Sequence, residues 1–213
     1  MASVKAIWVA AAGLLIAAAH AAPLFDPRLG APLTVRARPT LGSDQAPLVV
    51  IEVASFQCPH CQEFRADTFP ALDAQYIRTG KVQWVAINAA PDAETARQPV
   101  FAIGKCLDRQ QRYAAFADLL FPNSERTPAQ IIALLTARGG LDLPALNVCL
   151  RDPAIAKEID ADFADYQKLK ITGTPTFILR KRRQSGAWSG ARIVGNLPLD
   201  YFQRTFDMML KLP

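Results

Sequence analysis

The chain has 213 residues, 51% of them hydrophobic, and a formal net charge of +5 from 24 Lys and Arg against 19 Asp and Glu. This size suits one domain, or one domain with a large insertion, and the hydrophobic fraction supports a packed core. The mild basic excess does not predict a nucleic-acid partner. With only two histidines in the sequence, a histidine-rich metal site is excluded.

The first 21 residues have the features of a secretory signal. Lys5 supplies a positive charge, residues 6–19 are almost wholly apolar, and small residues stand at Ala19 and Ala21, where signal peptidase cuts. The apolar run is shorter than the roughly 20 residues of a membrane-spanning helix. We therefore predict that residues 1–21 are a signal peptide cleaved after Ala21. An uncleaved anchor or a buried first helix is the alternative.

The next elements are an arm, a strand and a helix. Residues 22–46 contain four prolines and predict an extended arm with at most one short strand, near residues 33–36. A dense run of β-branched residues predicts a strand over residues 47–55 that is buried on both faces. Residues 59–78 have helical spacing, and Pro70 is expected to kink that helix.

A second strand is predicted over residues 81–88, and several helices follow it. Residues 91–170 are rich in Ala, Leu, Gln and charged side chains. The expected helix breaks in this region are Pro122, Pro128, Gly139, Gly140, Pro144 and Pro153. Strand character returns at residues 176–179 and 192–194. An amphipathic helix over residues 197–210 is expected to close the chain.

This order of elements predicts a mixed sheet covered by helices, because a strand, a helix and a strand in succession favour a parallel crossover. Residues 47–90 and 171–213 would form the sheet domain, and residues 91–170 a helical insertion. The basic run at residues 180–183 is interpreted as a solvated hairpin tip.

Two cysteines spaced for redox chemistry follow the first predicted strand. Pro59 suits the first turn of a helix, which places Cys58 at the helix N-terminus and Cys61 on the same helix face, at a separation that a disulfide can span. The unpaired N–H groups and the helix dipole favour the Cys58 thiolate, and a protonated His60 would add to this. A thiolate is both the nucleophile and the better leaving group.

The same spacing also occurs in zinc sites and in small structural bridges. A zinc site would need two more ligands, and the remaining cysteines, Cys106 and Cys149, are far apart in the sequence. We therefore predict no metal site and favour a reversible disulfide.

Two segments resemble the active-site and cis-proline motifs of the DsbA-like thioredoxin superfamily: SFQCPHC at residues 55–61 and GTPTF at residues 173–177. The similarity extends to residues 44–47, residues 79–82 and Gly195. The resemblance implies an α/β thioredoxin fold with a helical insertion between the second and third core strands. It also implies thiol-disulfide oxidoreductase activity that needs no cofactor.

The resemblance assigns a role to each matched residue. Cys58 would attack, Cys61 would resolve, and Pro175 would be cis beside the disulfide, where the backbone of Thr174 can pair with a substrate strand. Without the resemblance, the Thr174–Pro175 segment reads as an ordinary turn. Glu52 would be a buried acid that helps to move protons at Cys61, whereas its pattern alone favours an edge or solvent-facing carboxylate.

The second pair of cysteines lies in the predicted insertion. Cys106 and Cys149 each follow an apolar residue by three, so each is expected on the apolar face of a helix. An even number of cysteines in an exported chain is typical of disulfides, and a structural Cys106–Cys149 bridge is the simplest interpretation. Two buried free thiols or a second redox pair are the alternatives.

Three functions are compatible with these features. The first is a monomeric periplasmic oxidase that acts on reduced or misoxidised exported proteins and is reoxidised by a membrane quinone-linked partner, as the resemblance implies. The second is an isomerase or reductase, because such members of the superfamily have a threonine before the cis proline, as Thr174 is here. The third is a non-catalytic module that binds a metal or a peptide near Cys58.

Overall fold

The computed structural model describes residues 24–26, 31–33, 38–182 and 188–213, and side chains over residues 38–181 and 190–213. The predicted signal peptide lies outside the described residues, as does most of the segment at 33–36 where a strand was expected.

The N-terminal arm contains more strand than the sequence predicts. Strands β1 (Leu24–Asp26) and β2 (Ala31–Leu33) pair with each other in antiparallel fashion, and β3 (Thr40–Leu41) pairs with a strand of the central sheet. The expectation of at most one short strand is therefore wrong. Strands of two or three residues are too short to produce an alternating pattern that a sequence reading can detect.

The central sheet has five strands in the order β3, β5, β4, β6, β7. The four longer strands are β4 (Leu48–Ala54), β5 (Val82–Asn88), β6 (Thr176–Arg182) and β7 (Trp188–Val194). Strands β4 and β5 are parallel, whereas the other neighbouring strands are antiparallel. The prediction of a mixed sheet is confirmed.

Strand β4 lies at the centre of this sheet and is buried along its whole length, as predicted. On one face, Leu48 and Val50 pack in a cluster with the C-terminal helix, and Ala54 packs with the helical insertion. On the other face, alternate residues such as Ile51 pack against Leu169. Because both faces are covered, this strand reads as an unbroken apolar run in which Glu52 is the exception.

The helical segment after β4 alternates between α and π turns. It comprises α1 (Pro59–Glu63), a π segment (Phe64–Thr68), α2 (Phe69–Leu72) and a second π segment (Asp73–Ile77). The Phe69 N–H bonds to the carbonyl of Phe64, five residues earlier. Pro70 lacks an N–H, and its ring would clash with the carbonyl four residues back, so a wider turn relieves the clash. The kink expected at Pro70 thus takes the form of a π turn just before this residue.

The insertion consists of α3 (Ala93–Ala96), α4 (Pro99–Arg109), α5 (Tyr113–Leu120), a 3₁₀ turn (Phe121–Asn123), α6 (Pro128–Arg138), α7 (Leu143–Leu150) and α8 (Pro153–Lys168). The breaks expected at Pro128, Pro144 and Pro153 fall in the first turns of α6, α7 and α8. The chain closes with α9 (Leu199–Lys211). Within the described ranges, no helix combines the length and hydropathy needed to cross a bilayer.

The interpretation of residues 180–183 as a solvated tip is wrong for Arg180. Strand β6 continues to Arg182, and Arg180 lies opposite Val49 of the central strand with only 1% of its surface exposed. A count of charges along the sequence does not reveal that this basic residue occupies a buried position in a central strand.

Candidate active site

The turn between β4 and α1 places Cys58 at the start of a helix. Cys58 has an extended backbone, and its carbonyl accepts the N–H groups of Cys61 at 3.0 Å and Gln62 at 3.1 Å, which begins the helix. Pro59 follows as the first helical residue and has no N–H to leave unpaired. The Cys58 side chain is therefore at the positive end of the helix dipole, as predicted, and it is partly exposed.

Cys61 has a different environment from Cys58. Its side chain has no exposed surface, and both cysteines are free thiols in this structure. Burial strongly raises the pKa of the Cys61 thiol, and the nearby charges of Cys58 and Glu52 act in the same direction. An external polypeptide can therefore reach Cys58, whereas Cys61 is confined to reactions within the protein.

The loop before β6 lies against the Cys58 sulfur. The Thr174–Pro175 peptide bond is cis, as the resemblance implies, and the Cys58 thiol donates to the carbonyl of Thr174 at 3.2 Å. The loop is held by the Thr176 hydroxyl, which donates to the carbonyl of Gly173 at 2.6 Å. The structure thus brings together two motifs that are more than 110 residues apart in the sequence.

A groove of about 280 Å³ begins beside Cys58. Its lining includes Ala89, Ala90 and Pro91, which follow β5, together with Tyr166 of α8 and the loop residues 172–174. None of the side chains that line this groove carries a charge. The groove can therefore accept an uncharged stretch of extended polypeptide next to the reactive sulfur.

His60 is exposed on the outer face of α1. About 70% of its side chain is accessible, and its Nδ1 lies 3.2 Å from a carboxylate oxygen of Glu63. The imidazole thus has an acidic neighbour on its own helix, which the sequence analysis did not consider.

Glu52 is completely buried, which corrects the interpretation drawn from its pattern alone and agrees with the resemblance. Its carboxylate accepts two hydrogen bonds from the Arg65 guanidinium, one of them very short, and one from the Trp84 indole at 2.8 Å. Arg65 also stacks over the Phe69 ring at 4.2 Å. Sequence reasoning missed both partners. The only available signal was that Arg65 follows Cys61 by four residues and so shares its buried helix face.

The remaining two cysteines form the expected disulfide. Cys106 of α4 and Cys149 of α7 are joined with an S–S distance of 2.04 Å and a Cα–Cα distance of 5.8 Å. This bridge ties two helices of the insertion together. In the part of the chain that the structure describes, no group of three or more His, Cys, Asp and Glu side chains is arranged to hold a metal ion.

Known proteins are similar to this chain in sequence and in fold. The family model described as Thioredoxin matches residues 34–193. Disulfide bond formation protein D of Bacillus subtilis is 25% identical over 156 residues, covering 70% of this chain and 70% of that protein. The crystal structure of Wolbachia pipientis alpha-DsbA1 aligns with a TM-score of 0.68 at 25% identity, over 81% of this chain and 90% of that one.

A further structure shares the fold. Oxidised BdbD from Bacillus subtilis has a TM-score of 0.66 at 22% identity, over 84% of this chain and 95% of that one. The family match spans well over half of the sequence and includes both cysteines of the helix and the cis proline. The chain therefore belongs to the thioredoxin family, in which it is a DsbA-like thiol-disulfide oxidoreductase.

Proposed function

We propose that this protein is an exported protein disulfide oxidase, which passes its Cys58–Cys61 disulfide to reduced or misoxidised proteins in the periplasm. The observation that carries the proposal is the contrast between the two sulfurs. Cys58 is accessible at a helix N-terminus, whereas Cys61 is fully buried and has a raised pKa. This contrast favours oxidation of the client over the reverse reaction, in which Cys61 would release the client in its reduced form.

The first step joins the client to Cys58. A client thiolate attacks the Cys58 sulfur, the Cys58–Cys61 bond breaks, and the Cys61 sulfur leaves with the electron pair. Because burial raises the Cys61 pKa, the released sulfur takes up a proton. Only a thiolate could attack the mixed disulfide and release the client in its reduced form, so this reverse reaction is slow.

The second step releases the oxidised client. Another client thiolate attacks the client sulfur of the mixed disulfide, and Cys58 leaves as a thiolate that the helix N-terminus stabilises. The client gains one disulfide, and the enzyme retains two electrons as the Cys58–Cys61 dithiol. We propose that a membrane quinone-linked partner removes these electrons, and that the protein acts as a monomer without a bound cofactor.

Client binding is proposed to use the groove and the adjacent loop. An extended client segment would lie along the uncharged groove beside Cys58 and pair with the backbone of Thr174. Glu52 would relay a proton to or from Cys61. Export rests on the predicted signal peptide at residues 1–21.

Isomerase or reductase activity is the second candidate, and it is favoured by Thr174, which lies directly before the cis proline. A non-catalytic module that binds a metal or peptide is the third candidate. Refolding measurements separate the three, because an oxidase converts a fully reduced client to its native disulfide form most efficiently, an isomerase acts on scrambled clients, and a non-catalytic module does neither.

The test mixes the oxidised protein with a reduced client whose activity depends on disulfides. We expect recovery of client activity with a molar excess of the oxidised wild type and none with Cys58→Ser. When Cys61→Ser is first loaded with glutathione at Cys58, a client thiolate should displace reduced glutathione and leave a mixed disulfide between Cys58 and the client. The double variant Cys106→Ala/Cys149→Ala, which lacks only the second bridge, is the matched control and should give the same recovery as the wild type. Recovery with Cys58→Ser would rule out the proposal. Recovery only from scrambled clients would identify an isomerase.

A further inference from the structure

A buried group of charged side chains fastens the N-terminal arm to α8. Arg38 is only 7% exposed, its Nε donates to Asp162 at 2.9 Å, and its Nη2 donates to Asp165 at 2.5 Å. The second carboxylate oxygen of Asp162 lies 2.8 Å from Nζ of Lys105 on α4. Arg38, Asp162 and Lys105 are thus paired with opposite charges in an interior where a single charge would be costly.

The geometry of this group requires an arginine. Asp162 and Asp165 are three residues apart on α8, so their carboxylates lie on one face of the helix. The planar guanidinium reaches both with two different nitrogens, and the ammonium of a lysine has no comparable fork. Arg38 therefore links the arm to two carboxylates on one face of α8.

The same part of α8 forms a wall of the groove beside Cys58. Tyr166 directly follows Asp165, lines the groove, and packs against the apolar cluster on the sheet. The chain then leaves the helix through Lys170, which has a φ of 48°, and enters the loop residues 172–174 that line the same groove. A shift of the last turns of α8 would therefore move Tyr166 and the loop together.

The arm is tied to β5 as well. The carbonyl of Pro39, next to Arg38, accepts the N–H of Ala86 on β5 at 2.9 Å. Strand β5 leads directly into Ala89 and Ala90, which also line the groove. One short stretch of the arm thus contacts both α8 and β5, the two elements that carry Tyr166 and lead into Ala89 and Ala90.

We propose that Arg38 is a positioning residue for client binding, which holds the Tyr166 wall of the groove in place through Asp162 and Asp165. This inference rests on the proposed function, because it takes the groove to be the client site. Arg38 acts through α8 and not on the sulfur atoms, so its replacement should weaken client binding and leave the thiol chemistry unchanged.

The test uses the full-length mature protein and a synthetic peptide with two reduced cysteines, oxidised at the expense of glutathione disulfide. For Arg38→Lys we expect the KM for the peptide to rise about tenfold, because a lysine ammonium lacks the fork that holds both carboxylates of α8 and the Tyr166 wall then shifts. The kcat and the equilibrium with glutathione should remain within about twofold of the wild type. A loss of stability alone would not raise KM while it left kcat and the glutathione equilibrium unchanged.

Two further variants keep the test decisive. Arg97→Lys alters an exposed ion pair with Asp160, which lies on α8 as Asp162 and Asp165 do. This variant should leave KM unchanged. Asp165→Asn removes the charge from the more accessible carboxylate, 14% exposed, at almost constant shape, and it should raise KM about threefold even if Arg38→Lys does not fold.

Three outcomes would overturn the inference. The first is an unchanged KM in folded Arg38→Lys or, if that variant does not fold, in Asp165→Asn. The second is an equal loss in kcat, with a shifted glutathione equilibrium. The third is a failure of the wild type to oxidise the peptide, which would refute the proposed function itself and with it this inference.

Discussion

Arg65 and Glu52 form an ion pair under the active-site helix, one turn beyond Cys61, in which both side chains are at least 95% buried. The Trp84 indole completes the set of donors around the carboxylate. On the same face of β4, Val50 belongs to the apolar cluster that packs with α9, and Ala54 belongs to the cluster that packs with the insertion. Glu52 lies between these two residues, so the ion pair is at the boundary of the two clusters. Glu52 and Arg65 thus connect the two halves of the core directly below the reactive cysteines.

Removal of one partner of this pair should be strongly destabilising. We expect Arg65→Met to lower the free energy of unfolding by about 3–5 kcal/mol, because it leaves a buried carboxylate without its counter-charge. Urea denaturation of the reduced protein measures this change. Arg204→Met, which removes an exposed pair to Asp200, is the matched control and should change stability by no more than about 1 kcal/mol. Equal losses in the two variants would show that the buried pair has no special role.

The stability of the reduced protein should fall at alkaline pH. The folded state raises the pKa of Cys61 above its ordinary value of 9.0, so the unfolded chain releases this proton first. Stability from this thiol is complete below about pH 9 and is lost above it, by up to about 1.4 kcal/mol per pH unit. Unfolding midpoints between pH 7 and 10.5 should therefore decline less steeply for Cys61→Ser. Identical slopes would contradict the raised pKa.

The sequence predicted the reactive cysteines well because their chemistry depends on local structure. A strand, two cysteines and a proline at the first helical position suffice to place Cys58 at a helix N-terminus. The burial of Glu52 required the family resemblance, since a lone carboxylate in an apolar strand does not show which side chains will neutralise it. Arg65 is 13 residues away and Trp84 is 32 residues away, and neither matches a pattern of its own.

The arm shows the same limit more clearly. Arg38 meets Asp162 across 124 residues of sequence, and the pairing of β3 with β5 involves only two residues. Such contacts form only in the completed fold, so no repeating pattern in the sequence predicts them. The burial of Arg180 likewise follows from its place in a central strand pair and not from its charge.

The Cys106–Cys149 bridge should stabilise the insertion without affecting the active site. Closing a loop over a sequence separation of 43 residues contributes about 4 kcal/mol in the chain-entropy model. We expect the Cys106→Ala/Cys149→Ala variant to lose stability of that order, as measured by guanidinium denaturation, while the glutathione equilibrium of the Cys58–Cys61 pair stays the same. A changed equilibrium would indicate that the second bridge participates in the redox chemistry.

Asp108 should destabilise the protein at neutral pH. Burial raises the pKa of this carboxyl from 3.8 to about 6, opposed by the nearby Lys105. The neutral form is favoured in the folded state, so stability is greatest below about pH 4 and is lost as the pH rises through 6. Asp108→Asn should therefore stabilise the protein at pH 7.5 by on the order of 1–2 kcal/mol, after allowance for partial exposure. Thermal unfolding should show no gain at pH 4, and a gain of equal size there would contradict the assignment.

The reduction potential of the Cys58–Cys61 pair tests the oxidase proposal most directly. It is measured by equilibration with reduced and oxidised glutathione, while mass spectrometry follows Cys106 and Cys149 separately. A disulfide donor whose reduced form is stabilised at Cys58 should have a potential more oxidising than about −180 mV, the value of protein disulfide isomerase. A potential near the thioredoxin value of about −270 mV would contradict this account and identify a reductase.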